Sequence, residues 1–207
     1  MAAVYDQASV YPPDAEDLVE FLPALDCGQC GAPGCLEFAE ALLAGESEPA
    51  GCPELSPVFQ ARLAAILALP KEPIPLNCMM EEVPRELMVI GEPPAGSPLL
   101  ITCNFQETVR ILREILEKTG TPAYLLPIFT HGYSVDNAVA ERWFRAVEVW
   151  KAMQENEVSD KVPEQVLILP GLAESEKNQV RQLSRWTVEV GPVSGFLLPL
   201  YLLEREE

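Results

Sequence analysis

Residues 99–128 read LLITCNFQETVRILREILEKTGTPAYLLPI. Leu99 to Thr102 is a short apolar run, about Gln106 to Lys118 is a helical stretch, and Ala123 to Ile128 is apolar again. The alternation continues towards the C-terminus. Apolar runs at Gln165 to Leu169 and Thr187 to Val190 are interleaved with helical stretches at Ser134 to Asn156, Glu174 to Arg185 and Gly195 to Leu203. Strands that alternate with helices predict an α/β fold, a doubly wound and mainly parallel sheet covered on both faces. Such sheets take ligands at the carboxyl ends of their strands. Polar and glycine-containing loops fall at those ends: 102–105 (TCNF), 130–134 (THGYS), 169–171 (LPG) and 191–192 (GP).

Working back from Leu99, the pattern changes. Pro70, Pro73, Pro75, Pro84, Pro93 and Pro94 crowd together, with only the short apolar run Leu87 to Ile90 between them. Residues 70–85 read as a semi-rigid linker, which divides the chain into an N-terminal domain, 1–69, and an α/β domain, 86–207. The N-terminal domain reads as helical. Pro12, Pro13 and Asp14 supply start signals for a helix whose face is Leu18, Val19, Phe21 and Leu22. A second helix is predicted from Cys35 to Leu43, stopped at Gly45, and a third from Pro57 to Leu69.

Four of the six cysteines lie in that domain, as Cys27-x2-Cys30-x4-Cys35-x16-Cys52. Crowding of this kind favours metal binding over disulfides. Four thiolates suit either a tetrahedral zinc or an iron-sulfur cluster. The interleaved Gly28, Gly31, Gly34 and Gly51 favour the cluster, because its sulfides accept backbone N–H groups and small residues let the chain wrap a bulky cofactor. Zinc sites more often pair two C-x2-C knuckles, and one is present here.

Composition narrows the function. The chain has 207 residues, 14 Lys and Arg against 32 Asp and Glu, a net charge of -18, and 48% hydrophobic residues. That apolar fraction excludes a disordered acidic tail. The charge disfavours nucleic acid and anionic membrane surfaces, both of which need clustered cations. No run approaches the roughly 20 apolar residues of a membrane span. Met1 to Pro13 has neither the basic nor the apolar stretch of a signal peptide, so a soluble, cytoplasmic protein is expected. No Ser-His-Asp arrangement, Walker phosphate loop or dinucleotide fingerprint occurs, which leaves a self-contained hydrolase, kinase or dehydrogenase without support.

The stretch 25–39 (LDCGQCGAPGCLEFA), with Gly45 and Cys52-Pro53 beyond, resembles the N-terminal 4Fe-4S domain of the large (gamma) subunit of the corrinoid iron-sulfur protein. That subunit belongs to the acetyl-CoA synthase/CO dehydrogenase pathway of anaerobes. Related cysteine motifs also occur in membrane electron-transport subunits. The resemblance continues through 100–105 (LITCNF), 122–126 (PAYLL), 132–135 (GYSV), 167–171 (LILPG) and 190–192 (VGP), which are similar to the same subunit's C-terminal corrinoid-binding domain. It implies a 4Fe-4S cluster on Cys27, Cys30, Cys35 and Cys52, and a base-off cobamide whose cobalt the cluster reduces for methyl transfer. It also implies that Thr102, Cys103, Asn104 and Phe105 lie under or beside the corrin. Gly132, Ser134 and Val135 would lie along its edge, with Pro170, Gly171, Gly191 and Pro192 around its amides. The implied partners are an electron donor protein and subunits of a one-carbon or CO dehydrogenase/acetyl-CoA synthase-type complex.

Two departures from that family stand out. The family carries a barrel domain between its two ends where this chain has only the proline-rich segment. Residues 129–132 (FTHG) and 140–144 (AERWF) stand where the family has an acidic residue before its glycine loop and a small glycine-containing turn. The reading favoured is a small cobamide carrier, because the strand-end loops keep the family's order and small residues; the alternative is an electron-transfer or assembly subunit whose α/β domain docks without a cofactor. Both make the chain a carrier or accessory subunit rather than a self-contained enzyme. An open platform lined by Thr102, Asn104, Ser134 and Gly171 favours the first, and filling by Trp143, Phe129 or Tyr133 the second. His131, the single histidine, reads as a loop residue with an ordinary hydrogen bond before a cobalt ligand or proton shuttle. Cys103 reads as packing before ligation, and Cys78 as incidental. Trp143 and Trp150 are expected on one face of one helix.

Overall fold

The computed structural model describes residues 12–70 and 81–205. The N-terminal part is helical. Asp14 accepts the N–H of Asp17 (2.8 Å) and Asp17 returns the bond in a capping box, starting α1, Ala15–Val19. α2, Cys35–Ala44, stops at Gly45 in the left-handed region (φ 73°), where Glu46 N–H reaches Ala41 O and Gly45 N–H reaches Leu42 O. That pair of bonds is the glycine stop expected of such a helix end. A 3-10 turn, Pro49–Gly51, leads into Cys52. Ser56 then caps α3, Pro57–Leu67, with Pro57 at its first position.

The second part is a five-stranded sheet of β1 (Met88–Ile90), β2 (Leu99–Cys103), β3 (Ala123–Ile128), β4 (Val166–Leu169) and β5 (Thr187–Val190), in the order β1-β3-β2-β4-β5. β2, β3, β4 and β5 are parallel, while β1 runs antiparallel along the outside of β3. β2 is buried along its whole length, as a central strand of a covered sheet must be. The chain winds from β2 through α4 (Gln106–Lys118) to β3, then returns across β2 to β4 and β5. That reversal makes the sheet doubly wound, with the switch point between β2 and β4.

α4 buries Thr108, Val109, Leu112, Ile115 and Leu116 and presents its charged face, laced by Arg110–Glu107 and Lys118–Glu114 pairs, to solvent. α5 (Val135–Ala140), α6 (Ala146–Glu155) and the short α7 (Val158–Lys161) follow β3. α8 (Lys177–Ser184) joins β4 to β5, and α9 (Leu198–Glu204) ends the fold. α6 packs on β3 and α8, α8 on β5, and α4 on β2. α9 also packs on α3, where Arg62 donates to Thr121 Oγ1 at 2.5 Å. One continuous set of buried side chains therefore runs from Leu18 to Leu203.

The structure differs from the sequence reading in four places. Ser134 to Asn156 is two helices, because Trp143 and Phe144 N–H both turn back to Ala138 O and Phe144 buries itself in the core. Trp143 consequently lies in the break and does not share a helix with Trp150. The run before Ile90 is a strand, β1, whose approach is held by Asn156: its carboxamide accepts Leu87 N–H and donates to Arg85 O, both at 2.8 Å. Of the expected linker, 71–80 lie outside the described residues. Glu81 to Val83, its far end, pair with the loop after β2 through Val83 N–H to Asn104 O and Gln106 N–H to Glu81 O. Finally, the stretch from Glu174 begins as a 3-10 turn, Gly171–Glu176, before α8.

Candidate functional site

The cysteine loop between α1 and α2 is built from left-handed residues: Ala24, Asp26, Gly28 and Gly31 all have positive φ. Asp26 turns its carboxylate over the start of α2 and accepts Cys35 N–H at 2.7 Å. Gly34 lies beneath it, where an added Cβ would be 2.7 Å from Glu37 Oε2 and 3.0 Å from Asp26 Oδ1. Cys27 is exposed, Cys30 and Cys35 are half-buried, and Cys52 is buried at the end of the 3-10 turn. Gln60 of α3 donates to Cys52 O (2.9 Å) and Leu55 O (3.1 Å), fixing that turn. All four are free thiols. Among the described residues, no three His, Cys, Asp or Glu side chains converge on one ion; a cubane takes one thiolate for each iron, so its ligands need not. Four soft sulfur donors, Cys27 and Cys30 on the glycine-rich loop, Cys35 at the start of α2 and Cys52 after the 3-10 turn, are the donor set that an iron-sulfur cluster requires.

At the carboxyl ends of the strands, the residues expected there are brought together and packed against one another. Asn104 is buried, and its side-chain oxygen and nitrogen both have partners. Oδ1 accepts Thr130 N–H (2.9 Å), the Thr130 hydroxyl (2.8 Å) and Gly132 N–H (3.2 Å), while Nδ2 donates to Glu82 Oε2 (3.0 Å). Asn104 thereby ties the loops after β2 and β3 to residue 82. Ser134 donates to Asp136 and accepts Asn137 Nδ2. Cys103, Phe105 and Val135 are core residues, and burial pushes the Cys103 thiol up from its ordinary value, so it packs as a neutral group.

The loops after β4 and β5 cross closely. Gly171 N–H donates to Pro192 O at 3.2 Å, and a Cβ on Gly171 would meet Val193 N at 2.8 Å and Gly191 O at 2.9 Å. Gly191 has its own constraint, since a Cβ there would be 2.9 Å from Ile168 Cγ2. β2 and β4 pair only at Leu99–Leu167 and Leu100–Ile168, so a cleft remains beyond them. It measures about 40 Å³ and is lined by apolar side chains, Thr102, Pro170, Gly191 and Pro192 among its walls. Thr102 Oγ1 is the buried side-chain polar atom without a partner among the described residues. The space is of the order of one water, and a corrin, a broad amide-fringed disc, does not fit it with the loops as packed.

In the loop after β3, His131 takes a left-handed conformation (φ 55°) and lies between Phe129 and Trp143, with ring centroids 4.3 and 3.9 Å away. Arg85 covers Phe129 and Arg145 covers Trp143. Sequence reasoning missed Glu82 and the structural part played by Thr130, for Glu82 meets Asn104 across 22 positions with no local signal. Cys78 lies outside the described residues.

Comparison with known proteins gives these sites a family. The family described as CO dehydrogenase/acetyl-CoA synthase delta subunit matches residues 54–196, more than half of the chain. The chain belongs to this CdhD family. An Fe-S cluster domain matches residues 22–54, which contain Cys27, Cys30, Cys35 and Cys52. The CdhD chain is 33% identical over 167 residues to the gamma subunit of the acetyl-CoA decarbonylase/synthase complex of Methanopyrus kandleri, covering 81% of this chain and 34% of that one. It is 34% identical over 110 residues to the corrinoid/iron-sulfur protein large subunit of Moorella thermoacetica, covering 53% and 25%. Over 82 residues it is 38% identical to one of the subunits of the ion-translocating oxidoreductase complex of Cronobacter sakazakii, covering 39% and 42%. The chain thus spans about a third of the Methanopyrus subunit and a quarter of the Moorella one. The resemblance to the corrinoid iron-sulfur large subunit holds, as does the α/β fold with a helical iron-sulfur segment before it. No helix among the described residues is long and apolar enough to cross a membrane.

Proposed function

We propose that this CdhD protein is a 4Fe-4S electron-transfer subunit whose α/β domain is a docking body within a larger one-carbon or CO-metabolising complex. The observation that carries the reading is the closure of the strand-end loops: the Asn104 carboxamide is bonded to Thr130, Gly132 and Glu82, and Gly171 N–H donates to Pro192 O. Phe129, His131 and Trp143 pack ring against ring, tilted and edge-on, at positions where the family has smaller residues. Cys27, Cys30, Cys35 and Cys52 would hold the cluster, with Asp26 fixing the backbone at Cys35 and Gln60 at Cys52. A bound 4Fe-4S cluster supplies one-electron chemistry. Exposure of Cys27 gives electrons a short route to a partner at the surface.

A second reading, a small cobamide carrier with the cluster as its reductant, is favoured by one observation. The unpaired Thr102 hydroxyl faces the cleft at the switch point, where doubly wound sheets take ligands. Anaerobic purification with and without supplied cobamide, followed by iron, sulfide, zinc and cobalt analysis and a visible spectrum, separates the two. Iron and sulfide near about four each per chain with no retained cobalt is expected. Stoichiometric cobalt with a base-off corrinoid band would establish the carrier reading instead, and zinc alone would overturn both.

A further inference from the structure

α3 has the sequence PVFQARLAAIL, in which only Gln60 and Arg62 are polar. Both are held by fixed partners, Gln60 by the Cys52 and Leu55 carbonyls and Arg62 by Thr121, and Gln60 also lines the groove beside α3. A helix apolar all round is normally buried all round. α3 buries Phe59, Leu63 and Ile66, yet Pro57, Ala61 and Ala64 on its other side are exposed. They form one wall of a groove of about 670 Å³, whose opposite wall is the end of α2 and the 3-10 turn, with Ala44, Glu48 and Ala50. Small side chains on both walls allow another backbone to approach closely. Glu48 is the one ionisable residue of the lining.

Charge selects the occupant. Residues 1–69 contain 11 Asp and Glu against a single base, Arg62, a net of -10. A second copy of the chain would bring this acidic domain against itself, and an anionic lipid surface would be repelled in the same way. An apolar stripe flanked by Lys and Arg satisfies both the groove walls and the surrounding field. Helix-in-groove recognition uses anchors at i, i+3/i+4 and i+7 in such a channel.

We infer that the groove between α2, the Pro49–Gly51 turn and α3 is the docking site for a basic amphipathic helix of a partner protein. The docking stands on the groove and the charge, and does not depend on which cofactor reading holds.

The test uses the full chain, prepared anaerobically, and a fluorescein-labelled amphipathic helix of leucine and lysine, with a leucine and glutamate helix of the same pattern as control. Saturable binding of the lysine helix is expected, weakening at least about tenfold as salt is raised, together with slowed amide exchange in α3 and the end of α2. Ala64→Trp, which fills the groove without altering charge, should weaken binding at least about tenfold, and Ala61→Trp should do the same if the first variant is poorly folded. Wild-type affinity in a folded groove-filling variant, or exchange protection elsewhere on the chain, would reduce the binding to adhesion on an acidic surface and overturn the proposal. Equal binding of the glutamate helix would overturn it too. A sedimenting dimer that Ala64→Trp dissociates would assign the groove to a second copy instead.

Discussion

The cysteine loop and the strand-end loops are the two parts of the chain where a sequence motif announces a cofactor, and the fold treats them in opposite ways. The cysteine loop holds its shape with left-handed residues and two side-chain anchors, Asp26 and Gln60, and leaves Cys27 in solvent. The strand-end loops turn their polar groups on one another, so that Asn104 and Thr130 are buried and bonded to each other. A motif names the residues that will meet. Whether they meet a ligand or each other is decided by the loops that close over them.

The largest effect should come from breaking the first region alone. Replacing Cys52 by serine substitutes a hard hydroxyl for a soft sulfur donor at the one buried cysteine of the four proposed to hold the cluster. Iron and sulfide should fall from about four per chain to below about one, while the cooperative melting of the α/β domain is retained. Full iron retention in Cys52→Ser would remove this residue from the ligand set and, with it, the long arm of the spacing.

Breaking the second region should leave iron untouched and cost stability instead. Asn104→Ala strands Thr130, Gly132 and Glu82, whose partners it supplied. Orphaning buried polar groups costs about 1–3 kcal/mol each. A loss of about 3 kcal/mol overall is expected, since Glu82 reaches solvent and recovers its hydration. Thermal or urea unfolding would measure it, and a cost under about 1 kcal/mol would mean that the loops are held by packing and not by this carboxamide.

How far each region was legible follows from the range of the interactions that build it. Strands β2 to β5 and helix α4 follow from local apolar pattern, and Gly45 marks the end of α2 where its left-handed φ demands glycine. The break at Trp143 escapes periodicity, because it is made by Phe144 seeking the core. β1 escapes it too, as a short edge strand held in place by Asn156 far along the chain. The cysteine motif is readable because three of its four members lie within nine residues of sequence. The closure of the strand ends is not, because Glu82, Asn104 and Thr130 come from three separate segments, and Gly171 reads equally well as a ligand loop or as a crossing point.

The smallest expected effect concerns the far edge of the sheet, at β5. Glu189 of β5 accepts the Nε and Nη2 N–H groups of Arg205, at 2.7 and 2.9 Å, and the Tyr201 hydroxyl at 3.1 Å, which clamps the end of α9 to the strand. Partial burial opposes the charge of Glu189, but Arg205 and Tyr201 outweigh it and hold the carboxyl below its ordinary value. On Tyr201 burial and the neighbouring carboxylate act together and push the phenol up to about 12, so it stays a donor throughout the neutral range. A carboxyl whose folded value is depressed stabilises the fold above its unfolded value and loses that contribution as pH falls through the folded one. The clamp should therefore be intact at neutral pH and weaken below about pH 4.5. Solvent reaches both partners, so the loss should stay within about 1 kcal/mol. Arg205→Gln should flatten that acid limb of the melting curve while leaving the neutral part of the profile parallel to wild type. An unchanged acid limb would place the pH sensitivity on other carboxylates and leave the sheet edge held by α9 packing alone.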